Sequence, residues 1–368
     1  MKIGILTFYY AHNYGAVLQA YALLTYLRKK GHESYIIPYK NKEILKMYPP
    51  RLKPLIAKKN IINPMKWSLC FSELKKVLCS KKEWQRQYNK FENFISNYLV
   101  EDETKPWNNI ANSMDIIFFG SDQIWEQNII GQNERIYLGD FQTRAKKISY
   151  AASCFSEKSV FTKYMIEKLK DFSLISVREN KLSERLKKEL QKEIDIVCDP
   201  VFLLDKSVYK KLVSKNIDYG KYVLFYFVSE DKELQKICNR IRKQKKIRVI
   251  EIHYFKMQIR KKIDSYYDIG PIEFLTLFYH ADFIFTNSFH GTAFSIIFEK
   301  DFLVKSMNIR LFNLLRLMNL ENRIINTYEE WKKTKKSTAI DYDKVNIFRK
   351  RYIKRSKKYI EKAINLVE

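Results

Sequence analysis

The chain alternates short apolar runs with stretches of helical period, and each apolar run stops on polar or glycine residues. Residues 2–8 (KIGILTF) read as a strand, YYAHNYGA as a loop, VLQAYALLTYLRKKG as a helix stopped by Gly31, and SYIIPY from Ser34 as the next strand. This rhythm predicts a parallel sheet, with ligand-binding loops at the carboxyl ends of its strands. DIIFF ending on Gly120, KKISYAAS, SLISVREN and IDIVCDPVFLL continue the series and share one polar rim. A second series begins at Tyr222 with YVLFYFV, a helix over 232–243, RVIEIHYF, IEFLTLFYHA, DFIFTNS, a helix TAFSIIFEK, and DFLVKS. The break at 205–220 predicts an α/β protein of two Rossmann-like domains facing a cleft, residues 1–205 and 221–340. Residues 42–106, rich in lysine, proline and aromatics, interrupt the first series and read as a helical insertion over the sheet.

With 368 residues, 46% of them hydrophobic, both domains can fill a core. The first residues have no signal-peptide pattern and no run of eighteen apolar residues occurs, so the expected location is cytoplasmic. Five scattered cysteines (Cys70, Cys79, Cys154, Cys198, Cys238) form no CxxC pair, which points to reduced thiols and no metal site. The net charge of +27 attracts anions of any kind. Nucleic acid is not the expected partner, because no reading motif occurs and the aromatics fall in core-like runs. Residues 341–368 form a basic helix whose apolar positions Val345, Phe348, Tyr352, Ile353, Tyr359, Ile360, Ala363 and Ile364 keep roughly helical spacing. Such a helix either lies on an anionic bilayer at the inner membrane face or packs on its own protein.

FTNSFHGTAF, residues 285–294, places His290 and Gly291 where strand DFIF hands over to a helix. Backbone N–H groups converge there and favour an anion. Gly291 permits a tight turn, Asn287 and Ser288 cap or donate, and His290 can transfer a proton near neutral pH.

TFYYAHNYGAVLQAYALLTYL, FFGSDQIW, ISYAAS, ISVREN, CDPVFLL, EFL, ADFIFTNSFHGTAFSIIFEKDF and RLFNLLRLMNLENR follow one another from residue 1 to about 323. In this order the blocks resemble the polysaccharide pyruvyl transferase family. The resemblance implies a fold similar to the GT-B glycosyltransferases and transfer of pyruvate from phosphoenolpyruvate to two sugar hydroxyls as a cyclic ketal, with no metal or other cofactor. It also implies a capsule, exopolysaccharide or cell-wall glycan precursor as acceptor, galactose-type or carried on a polyprenyl diphosphate among the alternatives.

The donor's carboxylate and phosphate call for guanidinium, ammonium and backbone N–H groups. Its vinyl carbon calls for an acid, for which His290 is the candidate. Arg178 matches the family's arginine and is the first candidate for the anion. Many family members carry an arginine directly before Leu-His-Gly, where this chain has Ser288-Phe289-His290-Gly291, so Lys305 or Arg310 is expected to supply the missing cation. On the acceptor side, Asn13, Asp122 and Gln123 can bond sugar hydroxyls, with Tyr14-Gly15 and Gly120-Ser121 shaping the loops. Tyr14 and Trp125 offer ring faces, and Asp122 is the candidate base; Asn13 and Ser121 are equally readable as a helix cap and a turn former. The rival reading is a GT-B-like glycosyltransferase using a nucleotide-sugar, for which Glu273 is the nearest candidate.

Overall fold

Every residue of IIFF (116–119) and YVLFYF (222–227) is buried, as a parallel strand covered on both faces requires. The computed structural model describes residues 1–48, 67–101, 104–154, 161–214, 219–244, 246–253, 264–305, 309–334 and 339–367, with side chains described except over 67–81. The amino-terminal domain runs β1 (Lys2–Leu6), α1 (Tyr14–Lys29), β2 (Glu33–Ile36), α2 (Lys42–Met47), α3 (Trp67–Tyr98), α4 (Trp107–Asn112), β3 (Ile116–Phe119), α5 (Gln127–Ile130), β4 (Lys146–Ser149), α6 (Lys163–Lys170), β5 (Ile175–Val177), α7 (Asn180–Leu190), β6 (Ile194–Ile196) and α8 (Lys206–Lys210). Its strands are parallel in the order β2-β1-β3-β4, and bridges from Ile148 to Leu174 and Ala152 to Val177 extend the sheet to the β5-β6 pair.

The carboxyl-terminal domain runs β7 (Tyr222–Phe227), α9 (Lys232–Gln244), β8 (Arg248–His253), β9 (Ser265–Tyr266), α10 (Pro271–His280), β10 (Phe283–Thr286), α11 (Phe289–Ile297), β11 (Asp301–Val304), α12 (Ile309–Leu317) and α13 (Tyr328–Lys333), with the parallel order β11-β10-β7-β8-β9. The last helix, α14 (Tyr342–Ile364), spans both domains. Near its start Tyr342 Oη donates to the Lys300 carbonyl at 2.5 Å. Further along, Ser356 Oγ accepts from Cys198 N–H at 2.8 Å and Tyr359 Oη donates to the Ser149 carbonyl at 2.7 Å. Val345, Tyr359, Ile360, Ala363 and Ile364 are buried, so the apolar stripe is spent on the protein's own two domains. Of the two expected placements of this helix, packing on its own protein is the one observed.

The insertion contributes α3, which joins the domains as well as covering the sheet. Its Phe91, Phe94 and Ile95 are buried, while Arg86 and Lys90 form ion pairs of 2.7 Å with Asp268 and Glu273 of the other domain. The remainder of the insertion at 49–66 lies outside the described residues. Among the described residues no helix is long and apolar enough to cross a membrane. Cys154, Cys198 and Cys238 are buried thiols.

Candidate functional site

Two helix amino-termini from different domains converge on one cavity. Helix α1 starts at Tyr14, three residues earlier than the sequence pattern suggests, because the Asn13 side chain accepts from Gly15 N–H at 2.9 Å and caps the first turn. Helix α11 starts at Phe289, capped by Ser288 Oγ, which accepts from Gly291 N–H at 3.2 Å. A cavity of about 400 Å³ lies between them, lined on the polar side by Asn13, Asp122, Gln123, Asn287, Ser288, His290 and Arg310. Phe8, Ala11, Ile44, Met47 and Ile129 give the amino-terminal domain an apolar wall facing that polar floor.

His290 is wedged between the domains. Its Nε2 lies 3.4 Å from Asp199 Oδ2, and a Cβ at residue 15 would come within 2.0 Å of its Nδ1, so only glycine fits there. Asp199 is wholly buried; its Oδ1 accepts from Val201 N–H at 3.1 Å and its Oδ2 accepts from Arg178 Nη1. Burial alone would raise the Asp199 pKa, but His290 and Arg178 outweigh it and hold the carboxyl at about 2. The folded value lies below the unfolded one, so this stabilisation is present above the ordinary carboxylate range and is lost as pH falls toward about 2.

Arg178 sits behind the cavity wall. Burial pulls its pKa down, but Asp199, Glu179 and Asp122 together hold the guanidinium above its ordinary value. Its Nη2 lies 3.6 Å from Asp122 Oδ1, and the group stacks over the Phe289 ring at 5.3 Å. Glu179 accepts from Ser153 Oγ at 2.6 Å; burial pushes its carboxyl up against the pull of Arg178, Arg310 and Ser153. Arg310 has its pKa lowered by burial and then by the like charge of Arg178. Arg178 and Arg310 thus share one charge cluster with Asp122, Asp199 and Glu179, and Arg310 is the member that carries positive charge onto the cavity wall. Asp122 reaches the cavity from a left-handed backbone, φ +77°, a conformation costing a non-glycine residue about 1 kcal/mol. Gly120 before it needs its own φ of +114°, and a Cβ there would meet the Tyr150 carbonyl at 2.4 Å.

His290, Asp122, Gln123, Asn13, Asn287, Ser288, Phe289 and Arg310 thus meet at one cavity, with Gly15 and Gly291 shaping it. Gly291 packs so closely that a Cβ would fall 2.5 Å from Thr286 Oγ1. Asn287 is partly spent on the fold, its Oδ1 accepting from Val228 N–H at 3.0 Å. The other candidates are placed elsewhere. Arg178 does not line the cavity, because its guanidinium is committed to Asp199 beneath Phe289. Lys305 turns away to Asp231, 3.1 Å off, which leaves Arg310, among the described residues, as the arginine or lysine on the wall. Ser121 is buried and donates to the Ala151 carbonyl at 3.1 Å. Tyr14 and Trp125 offer no sugar platform. Tyr14 is fully buried, stacked on Phe274 at 4.5 Å with Oη donating to the Ile269 carbonyl, and Trp125 is buried with Nε1 donating to the Tyr137 carbonyl. Glu273 caps α10 and pairs with Lys90, so its carboxylate is engaged in joining the domains.

Asp199, Glu179 and Ser153 were not singled out as site residues. Each ends a strand of the polar rim, which is the one signal that points to them, and many other polar residues share it. Among the described residues no cluster of histidine, cysteine or carboxylate side chains is placed to hold a metal ion.

A family model described as polysaccharide pyruvyl transferase matches residues 13–309. No curated protein matches the chain. Among solved structures the chain is similar to the UDP-GlcNAc 2-epimerase from Neisseria meningitidis bound to UDP-GlcNAc, at 10% identity over 99% of each chain with a TM-score of 0.50. A UDP-N-acetylglucosamine 2-epimerase matches at 11% identity, covering 98% of this chain and 94% of that one, again with a TM-score of 0.50. An alpha-glucosyltransferase in complex with UDP-glucose and DNA matches at 10% identity over 100% and 99%, with a TM-score of 0.49. At these identities the likeness to the two epimerases is one of fold alone, a mixed α/β architecture with parallel sheets.

Proposed function

The chain belongs to the polysaccharide pyruvyl transferase family, and from that premise we propose that it moves the pyruvyl group of phosphoenolpyruvate onto two hydroxyls of one sugar, closing a cyclic ketal and releasing phosphate. The observation that carries this reading is His290, a titratable group at a helix amino-terminus on the cavity wall, backed by an ionised Asp199 3.4 Å away and accompanied by Arg310.

The positive ends of α1 and α11 and the Arg310 guanidinium suit a substrate carrying a carboxylate and a phosphate. With the Asp199 carboxylate 3.4 Å from Nε2, the proton we assign to transfer is the one on Nδ1, and it goes to the vinyl carbon of the enol phosphate. The neighbouring carbon becomes electrophilic, and a sugar hydroxyl adds to it while Asp122 takes the hydroxyl proton. The bond from that carbon to the phosphate oxygen then breaks, phosphate leaves, and the second hydroxyl adds to close the ketal, its proton passing to the departing phosphate. One proton has entered the methyl group and two have left the sugar. The apolar wall of Phe8, Ile44, Met47 and Ile129 suits the less polar face of a pyranose. A polyprenyl-diphosphate-linked acceptor at an anionic membrane fits the charge of +27; contact there would be electrostatic, given that α14 buries its apolar stripe.

Arg310→Ala tests the donor assignment. Losing a charge-assisted contact to an anion costs about 1.5–3 kcal/mol, so KM for phosphoenolpyruvate should rise about 10- to 100-fold with a smaller change in kcat. Thermal-shift titration should show stabilisation of the wild type by phosphoenolpyruvate, and none by a panel of nucleotide-sugars. An unchanged KM in the variant, or stabilisation by a nucleotide-sugar alone, would count against the donor and favour the glycosyltransferase reading.

A further inference from the structure

His290 and the groups touching its ring come from different domains. The histidine rides on α11 of the carboxyl-terminal domain. Asp199, 3.4 Å from Nε2, follows β6 of the amino-terminal domain, and Gly15, against Nδ1, lies in the first turn of α1 in that same domain. Asp199 has its own intradomain support. Arg178 at the end of β5 and the Val201 N–H bond the carboxylate and fix its orientation from within the domain. Other contacts join the two domains elsewhere along the seam: Tyr14 stacks on Phe274 at 4.5 Å, and Lys90 pairs with Glu273 at 2.7 Å.

The geometry points to Asp199 as a positioning residue that, with the bare Cα of Gly15, completes the His290 proton donor across the domain boundary. This rests on the reading of His290 as the acid. Docked against Asp199, the imidazolium gains a fixed negative partner, one defined tautomer and one defined ring plane. The acid is therefore competent only where the two domains are docked around the substrates.

The test uses full-length protein labelled with 15N-histidine, read at a pH where the ring is neutral, with the His290 signal identified by its loss in His290→Gln. The wild type should show the Nε2–H tautomer, and Asp199→Asn should shift the signal toward Nδ1–H. Kinetically, Asp199→Asn should lower kcat about 100-fold with KM for phosphoenolpyruvate changed less than about 3-fold. The same substitution should cost nothing further in the His290→Gln background, as expected of residues acting as a unit. A tautomer that does not respond to Asp199→Asn, or an equal loss in both backgrounds, would overturn the proposal and leave Asp199 as the structural partner of Arg178. Should Asp199→Asn fail to fold, Gly15→Ala takes its place. Its methyl occupies the space of the ring while the Asp199–Arg178 pair stays intact, and the same two signals decide. The spectroscopic arm needs no substrate, so a His290 oriented by Asp199 in a protein that does not use phosphoenolpyruvate would discard the pyruvyl-transfer reading and keep this one.

Discussion

His290→Gln is expected to fold and to lose about 10²- to 10⁴-fold in pyruvyl transfer, the range a positioned general acid contributes. Glutamine keeps comparable length and a hydrogen-bonding amide but has no proton to give at neutral pH. Stability should change little, because the Asp199 carboxylate keeps Arg178 Nη1 and Val201 N–H as partners when the imidazole is removed. The imidazole side chain is itself 14% exposed, so its replacement leaves no large dry cavity. Circular dichroism and a melting curve close to wild type, together with collapsed turnover, are the expected pair of results. Near-native turnover in this variant would remove the histidine from the chemistry.

The second large effect is on stability. A chain lacking α14 should fail to fold as a cooperative unit, because Val345, Tyr359, Ile360 and Ile364 all bury their side chains against the two domains. At about 1.5–3 kcal/mol for each large apolar side chain, these four alone represent about 6–12 kcal/mol. That is comparable with the roughly 5–15 kcal/mol that holds a typical domain together. The truncation also removes Ser356 Oγ from the Cys198 N–H, leaving that buried donor unpaired, and Tyr359 Oη from the Ser149 carbonyl, which keeps only the Ser176 hydroxyl. Insolubility or the absence of a cooperative melting transition is the predicted outcome. A soluble truncated protein melting like the wild type would contradict the bridging role of the helix. Membrane attachment is better probed by neutralising the exposed Lys354, Arg355 and Lys358, which leaves the packed face untouched and should reduce salt-sensitive flotation with anionic liposomes.

The alternation of apolar runs with helical periods was enough to read two parallel sheets, because buried parallel strands must be apolar on both faces and must be joined by crossovers. The chain's boundaries were less legible. Gly15 after Asn13-Tyr14 reads as a loop, whereas Asn13 caps a helix already under way at Tyr14. Aromatics posed the clearest problem: Tyr14 and Trp125 flank polar loops and look exposed in sequence, yet each is buried and bonds a carbonyl through its polar tip. Charged residues were ambiguous for the converse reason. Arg178 and Arg310 both follow strands, and only the fold shows that one backs Asp199 while the other reaches the cavity. His290 and Asp122 reach the cavity because each follows the carboxyl end of a strand, His290 with Gly291 after it and Asp122 with Gly120 before it. Asp199 was hidden because its role depends on a neighbour 91 positions away in the chain and in the other domain.

The central claim is that an acid in the interdomain cavity protonates the vinyl carbon of phosphoenolpyruvate so that a sugar can capture the adjacent carbon. It is tested most directly by running the reaction in D2O with phosphoenolpyruvate and a panel of galactosides and lipid-linked glycan precursors, then reading the products by mass spectrometry and NMR. The account predicts a pyruvylated glycoside whose new methyl group carries a single deuterium, formed together with phosphate. A product with an unlabelled methyl group, or sugar transfer from a nucleotide-sugar with phosphoenolpyruvate left unused, would contradict it.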